Sequence, residues 1–361
     1  KLGGYLAASD QMRQAMRELG QNALAFADAM NEQNRGGITM TGFAGDDLIT
    51  IPSVPAWSSN DAFAMTVTFD RGAGEQIHSA DYRITWDNTT NPPNPQLWMT
   101  DASGVETQVQ LDAGDITADA QGNMVIKPKG HGVTFSFNRP RNDIAAADVE
   151  FRAQPTFNAA FQIKCNITKP EDFGFASAIR TNVNKHPGNA TPTLVGVTQM
   201  GTGANVKGEE GLGLYIDPTT KKPMIKNDAP NYVRFEKDQN NPQAPGQYVI
   251  YHKDNAGKLT KLGHVDADGF NGQNIFKNAT WDPPKKDLGY PGYEVSFVGT
   301  VENGSSFDIE INTDGINDNS NGNLLAGLKQ EELVYSSDGV KVSFTEDYAD
   351  MTSAVGSAVM S

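Results

Sequence analysis

LGGYLAASDQMRQAMRELGQNALAFADAM, residues 2–30, carries a heptad seam in which Leu2, Tyr5, Ser9, Met12, Met16, Leu19, Ala23, Phe26 and Met30 alternate steps of three and four. That spacing holds one stripe on one face of an α-helix and suits packing along a neighbouring helix. Ala, Met, Leu, Gln and Glu, all good helix formers, dominate the run. The pattern predicts a helix over 5–33, with Gly20 as a modest interruption and Asn34-Arg35-Gly36-Gly37 supplying the backbone freedom that ends it. The other end of the chain repeats the rhythm with Phe344, Tyr348, Met351, Val355 and Val359. Thr345 is the expected N-cap there, and Glu346 and Asp347 favour the positive end of the helix. Each stripe alone would stay exposed, so the two ends are expected to lie side by side.

Between these ends the period switches from three-and-four to two. Met65, Val67 and Phe69 alternate with polar residues, as do Tyr82, Ile84 and Trp86, and Val133, Phe135 and Phe137. Asp70-Arg71-Gly72, Asp87-Asn88 and Gln121-Gly122-Asn123 punctuate them as turns. Short alternating strands at close spacing imply antiparallel sandwiches or barrels. Three strand patterns return in order further along. Residues 81–86 resemble 247–252, residues 132–137 resemble 292–297, and residues 149–152 resemble 307–311, which reads as two related β-modules. The expected fold class is therefore α+β and multidomain. A helical domain formed by both chain ends, residues 1–47 and 318–361, has coiled-coil-like packing. Two mainly antiparallel β-domains follow, residues 48–180 and an inserted one at 181–317.

With 361 residues the chain can form about two or three domains. Its net charge of −15 repels phosphate backbones and anionic lipid, so neither nucleic acid nor membrane is an expected partner. No stretch is long and apolar enough to span a bilayer, and no basic-then-apolar leader opens the chain. A single cysteine, Cys165, excludes an intramolecular disulfide. Its place in Phe161-x-Ile163-x-Cys165-x-Ile167 is that of a small apolar residue on the buried face of a strand. The chain starts at Lys1, and the last helix stops while its apolar rhythm is still running, so a fragment is expected.

Catalytic and ligand chemistry is not indicated. His78, His131, His186, His252 and His264 are scattered singly, without metal-ligand spacing. Gly201-Thr202-Gly203-Ala204-Asn205-Val206-Lys207-Gly208 lacks the Gly-Lys-Ser/Thr order of a phosphate loop. Asp266-Ala267-Asp268-Gly269 and the run 312–318 cluster oxygen ligands beside a glycine. Neither has the full calcium spacing with its closing Glu, and Asp-Gly turns account for both. The expectation is no enzyme, no cofactor and no metal.

The blocks Leu2-Gly3-Gly4-Tyr5-Leu6 and Asn22-Ala23-Leu24-Ala25-Phe26-Ala27-Asp28-Ala29-Met30-Asn31 resemble the bacterial flagellar hook-associated protein 1 (FlgK) family. Gly45-Asp46-Asp47-Leu48-Ile49, Asp81-Tyr82-Arg83-Ile84, Gln154-Pro155-Thr156, Asp318-Asn319-Ser320-Asn321-Gly322 and Phe344-Thr345-Glu346-Asp347-Tyr348-Ala349 continue the likeness in the family's order. The resemblance implies a non-catalytic axial component at the hook–filament junction. It also implies a fragment lacking both terminal helical segments. Such a protein is extracellular, exported by the flagellar secretion apparatus without a cleaved signal peptide. Its implied partners are other copies of itself in the junction ring, the hook protein, the next hook-associated junction protein and, for the full-length chain, an export chaperone. Leu2, Met12, Met16, Leu19, Phe26, Met30, Tyr348, Met351, Val355 and Val359 would then form the helix-packing and assembly seam. Without the resemblance, the residues also fit a surface-exposed adhesive or carbohydrate-binding protein built of β-modules on a helical stalk. That reading needs an aromatic cleft at Trp57, Trp98 or Trp281.

Overall fold

Two long helices bracket a series of antiparallel sheets, and the chain is α+β. The computed structural model describes residues 2–90, 93–185, 189–197, 213–283, 290–313, 315, 318–336 and 339–360, with the side chains of 2–8, 183–185, 194–195 and 358–360 outside that description. The Gly201–Gly208 run and His186 lie outside the described residues. Two compact units are formed. The first comprises Lys1–Met30, Ile49–Asn166 and Gly327–Ser361, and the second Asn31–Leu48 and Ile167–Ala326. The division differs from the three-part reading of 1–47 with 318–361, 48–180 and 181–317. Both chain ends fall in the unit that holds the first β-region.

In the first unit, two five-stranded antiparallel sheets face each other. One has the order Val54–Pro55, Met65–Phe69, Val133–Phe137, Met124–Ile126, Ile116–Ala118. The other has the order Trp57–Ser58, Phe151–Ala153, Asp81–Asp87, Asn94–Thr100, Glu106–Val109. Alternation works as read. Val67, Tyr82, Ile84, Val133, Phe135 and Phe151 turn inward to one core, and Tyr82 and Phe135 meet edge to face at 5.3 Å. The segment around Cys165 departs from the reading. Ala159–Gln162 is a helical turn, and Lys164–Cys165 forms a two-residue ladder with Ile49–Thr50 that leaves Cys165 exposed. A helical turn breaks the period of two before it can bury the thiol.

The opening helix spans Leu2–Arg35. The helix runs unbroken through Gly20, where a Cβ would stand 1.8 Å from the carbonyl oxygen of Thr156 and only a glycine fits. The closing helix spans Phe344–Met360, and its cap is Ser343 rather than Thr345. The Ser343 N–H and hydroxyl donate to Glu346 at 2.9 and 2.8 Å, and the Glu346 N–H donates back to the Ser343 hydroxyl at 3.3 Å. That reciprocal pair is the capping box of a Ser-x-x-Glu sequence. Both bonds to Ser343 hold the Glu346 carboxyl below its ordinary range.

In the second unit a six-stranded sheet runs in the order Ile179–Lys185, Ser306–Ile311, Tyr232–Glu236, Gln247–Lys253, Leu259–Asp266, Thr280–Trp281, and Thr191–Val197 pairs with Tyr293–Val298. Ile179 stands opposite Ile311, so a boundary at 180/181 falls inside a strand. The two β-regions share two features of topology and differ in a third. Strands 81–87 and 247–253 each pair with the strand that follows them, and 133–137 and 293–298 each lie outside the sheet containing their module's first strand. The third differs, because Phe151–Ala153 pairs directly with Asp81–Asp87 whereas Tyr232–Glu236 stands between Ser306–Ile311 and Gln247–Lys253.

A buried amide knot gathers the helix end, the loop after it and two distant turns of this unit. Asn34 Oδ1 accepts from Gly174 N–H at 2.8 Å, while its Nδ2 donates to the Asp46 carbonyl at 2.8 Å. Asn321 Nδ2 donates to the carbonyls of Gln33 at 2.9 Å and Gly174 at 2.5 Å. Asp318 accepts from Ser177 N–H at 3.1 Å and from Ser320 N–H at 2.9 Å. Gly37 belongs here for space, since a Cβ on it would meet the Gly174 oxygen at 2.0 Å.

Candidate functional site

The opening helix presents two contrasting faces within the first unit. Its core-facing side carries Gln21, Asn22, Leu24, Ala25, Ala27 and Asp28, all buried. The polar members of this face bind backbone. Asp28 accepts from Gly72 N–H at 3.0 Å and Gly74 N–H at 2.7 Å. Gln21 donates to the carbonyls of Ile77 at 2.9 Å and Tyr335 at 3.1 Å. Leu24 supplies the apolar contact, packing with Ile77 and Ala159.

The heptad seam lies on the other side. Met12 is 67% and Phe26 37% exposed, and Met16, Leu19 and Met30 are half-buried. On the closing helix Tyr348 is 56% and Val355 40% exposed, with Met351 half-buried. The side chains of Leu2 and Val359 lie outside the described residues. The two helices meet at one corner. Phe26 and Phe344 rings stand edge to face at 5.4 Å, and Asn22 Nδ2 donates to Asp347. Burial raises the Asp347 carboxyl above its ordinary value, with Asn22 lowering it and Asp350 adding to the rise. Burial also raises Glu18, against a bond from Gln14 and with help from the Asp347 charge. Beyond Asp347 the described side chains of the closing helix are exposed or half-buried. Phe26 and Phe344 are thus brought together, while Met12, Tyr348 and Val355 present apolar surface outward.

Sequence reasoning missed the polar side of the helix. A signal existed in the spacing of Gln21, Leu24 and Asp28, which share a face at helical intervals. It was masked because amide and carboxylate side chains count as solvent-facing in a hydrophobic pattern. It also read the histidines as single. The fold brings His78 and His131 to a ring distance of 5.2 Å, with His78 stacked on Tyr335 at 5.3 Å and Tyr82 Oη 3.2 Å from His131 Nδ1. Burial, then the charge of His78, pushes His131 down to about 4, and burial lowers His78 against a bond with the Gly130 carbonyl. Among the described residues no group of three His, Cys, Asp or Glu side chains could hold a metal ion, and no helix is long and apolar enough to cross a membrane.

No family model matches the chain. It is 27% identical over 192 residues to the flagellar hook-associated protein 1 of Salmonella typhimurium, a match covering 52% of this chain and 31% of the relative. It is 30% identical over 182 residues to the flagellar hook-associated protein 1 of Escherichia coli, covering 49% of this chain and 29% of the relative. The chain thus spans less than a third of the length of these curated relatives. Among solved structures, the flagellar hook junction protein FlgK from Burkholderia pseudomallei shares its fold with a TM-score of 0.58 at 18% identity, over 96% of this chain and 56% of that one. The resemblance read from the residues is borne out by these relatives.

Proposed function

We propose that this chain is a non-catalytic structural component of the bacterial flagellum at the hook–filament junction, joining hook to filament through subunit–subunit packing. The observation that carries the reading is the outward apolar side chains Met12, Tyr348 and Val355, on two helices of which the opening one is held from its opposite, polar side. A contiguous patch of exposed large apolar residues marks an interaction surface, and the spacing of these residues on their helices fits such a patch. The similarity to hook-associated proteins supports placing that partner in the flagellar axis. In this proposal the seam residues Leu2, Met12, Met16, Leu19, Phe26, Met30, Tyr348, Met351, Val355 and Val359 pack against helical segments of the assembly. The partners are other copies of the protein, the hook protein and the next junction protein, with an export chaperone before assembly. The location is extracellular, reached through the flagellar secretion apparatus.

The test is complementation of a strain lacking the gene, using the full-length gene with Met12→Glu and Tyr348→Glu. The expected outcome is hooks without filaments at a normal level of exported protein. Normal filaments from this variant would contradict the proposal.

A further inference from the structure

The outer face of the second sheet of the first unit carries a ladder of aromatic and guanidinium groups. Trp57 stands opposite Arg152, Arg152 opposite Arg83, and Arg83 opposite Trp98 in successive strands. The Arg152 guanidinium lies 5.7 Å from the Trp57 ring centre, and that of Arg83 lies 5.3 Å from Trp98. Cation–π contact of this kind holds each ring in place without burying it. Trp57 is 57% exposed at the rim of a cleft of about 740 Å³ that also takes in Phe157, Gln154 and Gln162. An indole left this open, beside a concavity of ligand size, is unusual surface.

The charges of the cleft are neutralised in place. Arg83 donates to both oxygens of Glu106 at 2.9 and 2.7 Å. Arg152 pairs with Glu150 at 2.5 Å. Arg17 grips both oxygens of Asp81 at 3.0 and 2.5 Å, and Gln154 Nε2 adds a bond to the same carboxylate at 2.7 Å. An ionic ligand would have to displace one of these pairs, whereas a neutral one would not. What the cleft offers is a fixed aromatic plane ringed by planar hydrogen-bonding groups. A pyranose ring has the matching form. Its C–H face is weakly positive and sits on the negative face of an indole, and its hydroxyls both donate and accept at the edge.

We propose that this cleft binds a neutral oligosaccharide of β-linked glucose-type rings, whose all-equatorial substituents leave the C–H face flat, with one ring stacked on Trp57 and its hydroxyls met by Gln154, Gln162 and the Arg83–Glu106 pair. The site is independent of the helix stripe and of any role in the flagellar axis.

Titration calorimetry of the whole 361-residue chain with cellohexaose and with chitohexaose tests it. Saturable binding of at least one probe is expected. Trp57→Ala should weaken it roughly 30-fold, and Trp57→Phe should keep most of it, because a smaller aromatic plane remains. The thermal midpoint of Trp57→Ala should match that of the wild type, since the ring is exposed. Gln154→Ala, which leaves the indole in place, should give a smaller loss. Lack of binding to both probes would overturn the proposal. Binding that Trp57→Ala leaves unchanged would do so too, as would tighter binding of a sialylated or sulfated oligosaccharide than of either neutral probe.

Discussion

The two faces of the opening helix invert the usual amphipathic arrangement. The side turned to the protein is rich in amides and a carboxylate, and the opposite side carries the exposed Met12 and Phe26, whose ring meets Phe344 edge to face. A surface helix ordinarily buries its apolar stripe because burial is what holds it. Here Asp28 and Gln21 hold it by bonding to backbone groups of the loops beneath, with Leu24 as the apolar contact. An exposed side chain such as Met12 contributes little to this chain's own stability.

The largest effect is expected where the polar face comes closest to its neighbour. In an open helix Gly→Ala is stabilising by about 1 kcal/mol. At Gly20 the sign should reverse, because the Thr156 carbonyl lies where the Cβ would go. Gly20→Val should cost about 3 kcal/mol or more, read as a fall in the midpoint of urea unfolding. An unchanged midpoint would mean that the helix does not sit on this loop.

Next comes Asp28. Asp28→Ala removes two charge-assisted bonds, one from the buried Gly74 N–H and one from the exposed Gly72 N–H, and strands the first of them, so a loss of about 2 to 3 kcal/mol is the expected result. Chemical denaturation at neutral pH measures it. A loss below about 0.5 kcal/mol would place the burden on the apolar contacts instead.

A smaller effect belongs to the histidine pair, which joins the strand hairpin before the closing helix, through Tyr335, to the first β-region. His131 falls from an ordinary 6.5 to about 4 in the folded protein. The unfolded chain therefore binds the proton first as pH drops. The stability this group contributes is fully present above about 6.5 and is lost as pH falls toward about 4. Thermal midpoints at pH 7 and pH 4.5 should differ more for the wild type than for His131→Gln. Equal pH dependence in the two proteins would show that the pair does not sense acid.

How far the sequence carried this account varied by the kind of signal. The alternation at Tyr82, Ile84 and Trp86 gave the right buried face, because a strand with one wet side must alternate. Both long helices were legible from composition and period. The functional reading of the helix surface was not legible as a packing map, since a heptad shows which residues share a face but not whether that face is filled. The knot of Asn34, Gly37, Gly174 and Asn321 was hidden for another reason. Its members come from distant parts of the chain, and a side-chain amide that bonds backbone has no period. Two of the blocks that carried the family resemblance, Gly45-Asp46 and Asp318 to Gly322, contribute to that knot. Cys165 misled because four residues of alternation were overridden by one helical turn.

The polar face is expected to stabilise this protein, and the apolar face to serve a partner. The most direct test is the unfolding free energy of the double variant Met12→Ser with Tyr348→Ser, measured beside Asp28→Ala in the same buffer. The account predicts that the double variant stays within about 0.5 kcal/mol of the wild type, as exposed positions do, while Asp28→Ala falls well below both. A double variant destabilised as much as Asp28→Ala would contradict it, because the stripe would then be holding the chain's own fold together.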